Sequence, residues 1–224
     1  MIQLKPAAMP GPGQARLGHV TQDALFGCPE LHGASMSFGR NAEIYGEGEP
    51  ADYVYKVLSG SVRSYKVLGD GRRQIIGFHL PGDLFGLDCE AEHSCSAEAI
   101  GDCQVLLVRR TTLFNVAERD VDVARSLWTL TAAQLKRAHE HSLLLIKTAQ
   151  ERLAAFLLDI AQRLSAKNEV DLPMSRQDIA DHLGLTIETV SRTFTQLSEA
   201  SVIRFLASRR IVVRNPAMLA EMNG

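Results

Sequence analysis

The sequence predicts an α+β chain: a β-sandwich or small barrel, then one long helix, then a winged helix-turn-helix. Three observations predict it. Short β-branched and aromatic runs separated by turn residues fill Met36 to Arg110. From about Thr112 to Lys147 there is neither Gly nor Pro. Two short helical patterns then meet across Gly184, and a hairpin pattern comes after them. A length of 224 residues accommodates this as two modest domains and a connecting helix.

The β-domain is expected over residues 20–115. Tyr53 to Leu58 is β-branched and aromatic, as strands prefer. Ser59-Gly60 breaks it, and Ser61 to Val67 forms the next strand. Leu68-Gly69-Asp70-Gly71 is a short-hairpin signal. Gln74 to Leu80 continues the series until Pro81-Gly82-Asp83, and Cys103 to Val108 is the last, mostly apolar strand. Many short strands with regular turn signals are the pattern of a sandwich or barrel. Residues 1–19, with Pro6, Pro10, Gly11, Pro12 and Gly13, read as a flexible tail.

The long helix is expected over residues 116–148. Leu127, Leu130, Gln134, Arg137 or Ala138, His141 and Leu145 recur at steps of three and four, a coiled-coil-like seam. Two arrangements give such a row: pairing with a second copy in a dimer, or packing on the helix's own domain. The dimer is the expected one, with Leu127, Leu130, Gln134, His141 and Leu145 as its seam.

Residues 149–224 are expected to form the last domain. Glu151 to Ser165 is helical, burying Leu153, Ala154, Phe156, Leu157 and Ile160. Ser175 begins a capping box with Asp178 three residues on. The helix it opens stops at Gly184, a residue suited to a left-handed C-cap. Thr186 then N-caps the next helix. Two short helices across a tight Gly-containing turn are the helix-turn-helix signature. In the second helix, at about 100° per residue, Ile187, Val190, Phe194 and Leu197 share one side, and Glu188, Ser191, Arg192 and Thr195 the other. That row of polar tips suits either a solvated face or a helix reading base edges in a DNA major groove. Val202 to Leu206 and Ile211 to Val213 form the wing, with Arg204, Arg209, Arg210 and Arg214 in or beside it. Arginines so placed suit phosphate contacts, which position a protein without reading sequence.

Bulk properties exclude several classes. A net charge of −2 rules out a nonspecific nucleic-acid coat, although Leu172 to Arg214 holds six arginines against four acids. No apolar run approaches the length of a membrane span, and the first residues lack a secretory core, so a cytoplasmic protein is expected. Cys28, Cys89, Cys95 and Cys103 contain no CxxC pair and read as thiols, with no metal and no cofactor expected. A thiol-based redox response through Cys89, Cys95 and Cys103 stays open. The histidines show neither nucleophile-elbow nor metal-ligand spacing, so an enzyme is not expected.

Three strings resemble one family, the Crp/Fnr superfamily of bacterial transcription regulators. Gly77-Phe78-His79-Leu80-Pro81-Gly82-Asp83-Leu84-Phe85-Gly86 looks like the sensor-domain signature of its Fnr branch. Gln150-Glu151-Arg152-Leu153-Ala154-Ala155-Phe156 looks like that branch's hinge helix, and Leu183 to Arg192 like its recognition motif. The resemblance covers the chain from about Met36. It implies a jelly-roll, cyclic-nucleotide-binding-like domain, a dimerisation helix and a winged helix-turn-helix.

Departures from the pattern narrow the branch. Cyclic-AMP-binding members carry Gly-Glu-Leu and then Arg-Ser; here Gly86-Leu87-Asp88 and Cys95-Ser96-Ala97 stand in their places. Leu87 cannot accept a ribose hydroxyl and Cys95 cannot neutralise a phosphate as an arginine does. The N-terminal region has Cys28 alone, so the Fnr iron–sulfur ligand set is absent there. What remains is similar to FixK-type members, which activate genes for microaerobic respiration and nitrogen fixation. An effector-sensing regulator whose β-domain binds something other than cyclic AMP is the alternative.

The resemblance also implies roles. Arg192 is expected on a guanine edge, Glu188 on a cytosine amino group while orienting Arg192, and Ser191 on a neighbouring T·A pair. Ser175, Thr186, Thr189, Thr195, Arg204, Arg209 and Arg210 are expected to support them or hold phosphates. The Glu-x-x-Ser-Arg pattern goes with TTGA-type half-sites, and Ile187 stands where the cyclic-AMP branch has an arginine reading an outer guanine. The expected partners are a palindromic DNA duplex, a second copy of the chain, and RNA polymerase through Gly69, Asp70 and Gly71. A plain tight turn is the other reading of those last three residues.

Overall fold

The computed structural model describes residues 15–17, 24–164 and 169–222. By packing they form two compact units. One runs to Lys66 and adds Ile76–Thr131; the other joins Val67–Ile75 to the chain from Ala132 onward.

The first unit is a two-sheet roll. Its strands are β1 (Ala15–Leu17), β2 (Ala34–Phe38), β3 (Glu43–Tyr45), β4 (Tyr53–Ser59), β5 (Val62–Val67), β6 (Arg73–His79), β7 (Leu84–Phe85), β8 (Ser96–Ala99) and β9 (Cys103–Arg109), except that the hairpin residues Val67–Ile75, which include the start of β6, pack with the other unit. One sheet has the order β1-β2-β9-β4-β7, the other β3-β8-β5-β6. Successive strand residues point to opposite faces, and in β9 both faces are apolar. Val105 and Leu107 turn into the space between the sheets with Phe38, Tyr45, Tyr55 and Phe85. Leu106 and Val108 turn outward onto a second apolar cluster with Leu25, Leu31, Leu113, Val116 and Val123. Burial on both faces is why this strand reads as a nearly continuous apolar run.

Two expectations change here. Ala15–Leu17 pair with Met36–Phe38 as β1, so these three residues belong to the sheet and not to a tail; the rest of the tail lies outside the described residues. The Gly- and Pro-free stretch is also two helices, α1 (Arg110–Ala117) and α2 (Val121–Leu144). The break is made by Asp120, whose carboxylate accepts from the backbone N–H groups of Asp122 (2.9 Å) and Val123 (3.1 Å). An aspartate that satisfies the first donors of a helix starts one without help from Gly or Pro.

The expected seam of α2 divides. Leu127 and Leu130 continue the row begun by Val123 and pack on the cluster under the five-stranded sheet, on their own chain. His141 faces His182. The exposed apolar row is another one, seven residues apart: Val121 at 68%, Trp128 at 76% and Leu135 at 57% exposure, with Leu145 exposed further on.

The second unit contains α3 (Ala149–Arg163), β10 (Glu169–Asp171), α4 (Arg176–Leu183), α5 (Ile187–Glu199), β11 (Ile203–Phe205), β12 (Arg210–Val213) and α6 (Pro216–Glu221). The three strands pair in the order β10-β12-β11, and β11–β12 is the wing. Leu153, Phe156, Leu157, Ile160, Ile179, Leu183, Val190, Phe194, Leu197, Ile203 and Ile211 are all buried. None of the described helices is long and apolar enough to cross a membrane.

Candidate nucleic-acid interface

The local sequence sets the geometry of α4 and α5. Ser175 Oγ accepts from Asp178 N at 3.0 Å, and Asp178 Oδ2 accepts from Ser175 N at 2.9 Å, a closed capping box. Gly184 ends α4 at φ 64° and ψ 39°, the left-handed conformation glycine takes at little cost. Leu185 N returns to Ala180 O at 3.0 Å, and Thr186 Oγ1 accepts from Thr189 N at 3.2 Å to open α5. The turn between the helices is therefore hydrogen-bonded from both ends.

Helix α5 buries Val190, Thr193, Phe194 and Leu197. Glu188, Ser191, Arg192 and Thr195 are exposed together on its other side, as the periodicity predicts. Ile187 departs from the expectation. It is 37% exposed, because the first turn of α5 stands beyond the core, and Thr193 is buried with its hydroxyl donated to Thr189 O at 2.8 Å. The Glu188 carboxyl lies below the usual range, held by its own backbone N–H and by the Thr186 hydroxyl, with the Arg192 charge contributing. A carboxylate in the first turn also meets the positive end of the helix dipole. The exposed face thus presents an ionised acceptor, a hydroxyl and a guanidinium in sequence.

The supporting residues behave less uniformly. The Ser175 hydroxyl is taken up by the capping box, donating to Asp178 Oδ2 at 2.7 Å. Thr189 lies 3.1 Å from the Thr186 hydroxyl, and Thr195 donates to Ser191 O at 3.1 Å. Arg204 is exposed. Arg209 Nη1 donates to Pro173 O at 3.1 Å, and Arg210 Nε lies 3.0 Å from Glu169 and 3.9 Å from Asp171. Arg210 is therefore already counterbalanced by carboxylates on β10.

Three arginines that sequence reasoning passed over organise the unit. Arg152 donates to three carbonyls, of Lys147 (2.9 Å), Leu183 (2.8 Å) and Leu145 (2.6 Å). Arg176 lays its guanidinium over the Phe194 ring at 3.1 Å and near Phe205 at 5.3 Å, joining α4, α5 and the wing. Arg73 reaches Asp178 and Asp181 of α4. Only Arg152 carried a signal, as part of the hinge-like string; nothing local marks the partners of the other two.

The hairpin Gly69-Asp70-Gly71 turns at Gly71, φ 84°, and Asp70 pairs with Arg72 at 2.7 Å. Hydrogen bonds from Arg72 hold the exposed Asp70 carboxyl below its usual range. In the roll, Gly86 sits at φ 70° with no room for a side chain, since a Cβ there would lie 2.6 Å from the Tyr55 ring. Tyr45 stacks on His93 at 3.6 Å, Tyr55 on Phe85 at 5.1 Å, and Leu87 packs on the outer cluster. Cys103 is buried, which pushes its thiol up to about 11. Burial also raises the Cys95 thiol, and the Asp88 charge adds to it. Among the described residues no group of three His, Cys, Asp or Glu side chains is arranged to hold a metal ion.

Residues 151–222 match the Crp-like helix-turn-helix domain family and residues 35–120 the cyclic nucleotide-binding domain family. The nitrogen fixation regulation protein FixK of Azorhizobium caulinodans is 50% identical over 197 residues, 85% of this chain and 79% of the relative. The chain belongs to the Crp/Fnr family of transcription regulators. A FixK of Rhizobium meliloti is 44% identical over 181 residues, covering 80% of this chain and 82% of the relative. The solved structure of FixK2 from Bradyrhizobium japonicum matches with a TM-score of 0.83 at 51% identity, over 87% of this chain and 98% of that one. As in the rest of the Crp/Fnr family, the C-terminal domain is a DNA-binding one, and the chain is a regulator and not an enzyme. The jelly-roll, helix and winged helix-turn-helix order that the sequence predicts is the order of this fold.

Proposed function

We propose that this chain acts as a homodimer that binds TTGA-type palindromes and activates transcription, in the control of microaerobic respiration or nitrogen fixation. The observation that carries the DNA reading is the exposed row Glu188, Ser191 and Arg192 on a helix capped at Thr186 and braced by α4. These residue types match the base edges of such a half-site: guanidinium to guanine, carboxylate to cytosine amino group. Ile187, exposed beside them, offers no donor to an outer guanine. The nitrogen-fixation role rests on the names of the FixK relatives. It fits a roll whose interior is filled by its own aromatic rings and whose Leu87 and Cys95 lack ribose and phosphate chemistry.

A second copy is the partner we assign to the row Val121, Trp128 and Leu135, since an a-type heptad spacing on an exposed helix face suits coiled-coil pairing. A two-fold dimer then places its half-sites about one helical turn apart. RNA polymerase is the partner we assign to the Gly69-Asp70-Gly71 turn, and the cytoplasm is where such a regulator works. The test is DNA binding by purified protein in air, with no effector, to a TTGA palindrome and to a TGTGA one. Preferential binding to the first supports the reading. A requirement for cyclic AMP, or equal binding to both, removes it.

A further inference from the structure

Three consecutive residues of the second unit, Arg73, Gln74 and Ile75, lie along α4. Arg73 Nη2 is 2.8 Å from Asp178 Oδ1, and its Nε and Nη2 are 3.1 and 3.0 Å from Asp181 Oδ2. Gln74 Nε2 donates to His182 O at 3.3 Å, and His182 Nδ1 lies 3.1 Å from Ile75 O. The carboxylates are not surface groups: the side chains of Asp178 and Asp181 are 4% and 14% exposed. Two acids one helical turn apart on one face of α4 repel each other and lose hydration together. A planar guanidinium with several donors in a fixed fork answers both at once, which a lysine ammonium does less well.

We propose that Arg73 is a positioning residue for DNA recognition. By neutralising Asp178 and Asp181 it pins α4 against the segment Arg73–Ile75 of the same unit, and α4 passes that constraint to α5. Three features couple the two helices: the Leu185 to Ala180 hydrogen bond, the left-handed cap at Gly184, and the shared burial of Leu183, Val190 and Phe194. Asp178 has a double duty, since its Oδ2 caps Ser175 while its Oδ1 meets Arg73. Releasing Arg73 therefore loosens the start of α4, the helix on which the recognition helix leans. The carboxylates that Arg73 holds lie on α4 and not on the base-reading face of α5, so its loss weakens binding without changing which bases are preferred.

The inference rests on the DNA reading proposed for α5, and the experiment keeps the two apart. Fluorescence anisotropy with a labelled TTGA palindrome is measured for wild type, Arg73→Ala, Arg73→Lys, Asp181→Asn, the Arg73→Ala/Asp181→Asn pair, and Arg192→Ala, with melting temperatures alongside. Arg73→Ala is expected to weaken binding about tenfold, Arg73→Lys less, and the same Arg73→Ala change about twofold or less in the Asp181→Asn background, the non-additivity of directly coupled residues. The preference for TTGA over TGTGA stays that of wild type. Additive losses in the double variant overturn the inference, as does unchanged affinity in Arg73→Ala. Folded Arg73→Lys protein that binds no better than Arg73→Ala also overturns it. Failure of wild type to bind, or full binding by Arg192→Ala, strikes the DNA reading instead.

Discussion

His182 stacks on His141, with ring centroids 4.3 Å apart and 25° between the planes. Two imidazoles at this distance cannot both be charged cheaply. Burial pushes His182 down to about 3, with the His141 and Arg163 charges adding to it against the hydrogen bond to Ile75 O. His141 is lowered too, by burial first and then by Arg152. The Phe156 ring packs against His182 at 5.9 Å, and Arg73 pairs with Asp178 and Asp181 elsewhere on the same helix, α4.

The pH consequence has a definite sign. Below the ordinary histidine value of 6.5 the unfolded chain takes up a proton that folded His182 refuses, so stability falls as pH drops. The loss runs from about 6.5 down towards 3, at about 1.4 kcal/mol per pH unit for one proton. Chemical denaturation monitored by circular dichroism at pH 7.5, 6 and 5 should show it. His182→Phe should flatten the slope, and an unchanged slope would exclude His182 as its source.

What the sequence made legible was what local chemistry controls. Helices α4 and α5 were readable because Ser175, Asp178, Gly184 and Thr186 each carry a cap or a stop in their own side chain or backbone. The start of α2 was not, because Asp120 is one capping aspartate in a stretch with no other punctuation. Periodicity found apolar rows on α2 but not which row meets the chain's own sheet: Leu127 and Leu130 do, while Trp128 does not. Arg73 is more than 100 positions from Asp178, and no local pattern joins them. Of the residues proposed to meet DNA, Glu188, Ser191 and Arg192 fall on one face from spacing alone, whereas the occupation of Arg210 by Glu169 depends on strand pairing.

The aromatic seat of Arg176 predicts a stability effect. A guanidinium stacked on an aromatic face gains about 0.5–2 kcal/mol, most when desolvated. Burial pushes Arg176 down to about 10, still charged at neutral pH. Arg176→Ala should cost about 1–2 kcal/mol in urea denaturation, and Phe205→Ala should make the wing more protease-sensitive. Arg176→Lys should recover less than half, since an ammonium has no plane to stack. Full recovery by lysine would make charge alone, and not stacking on Phe194, the source.

Trp128 is the chain's single tryptophan, and at 76% exposure it reports on whatever covers it. Dimerisation along Val121, Trp128 and Leu135 should shift its emission to shorter wavelength as concentration rises. Leu135→Asp should leave a monomer by analytical ultracentrifugation, with red-shifted emission and lost palindrome binding. A dimer that persists with Trp128 still solvent-exposed would move the interface off this face.

Asp70 offers a separable test of the hairpin. Its carboxylate is exposed and tied to Arg72, so replacing it removes a surface charge without touching the core. Asp70→Ala with Arg72→Ala should reduce transcription from a TTGA promoter severalfold while anisotropy on the same DNA stays within about twofold, a change expected of an exposed ion pair. Equal loss of both readouts would make the turn structural.

Base discrimination returns to α5. If Arg192 meets a guanine edge, Arg192→Ala should cost about 1–3 kcal/mol at one base pair and leave the salt slope almost unchanged. Arg204→Ala, by contrast, should weaken all sequences alike and lower the slope by about one. Ile187 tests the converse. It is exposed at the start of α5, before Glu188, so Ile187→Arg adds a donor without disturbing the core. That variant should gain affinity for TGTGA sites relative to wild type while keeping the contacts proposed for Glu188 and Arg192 with TTGA. The measurement is competition between the two palindromes at fixed salt, because phosphate contacts alone make absolute affinities shift with ionic strength. If Ile187→Arg binds every duplex more tightly by the same factor, the new charge is meeting phosphate, and position 187 does not read a base.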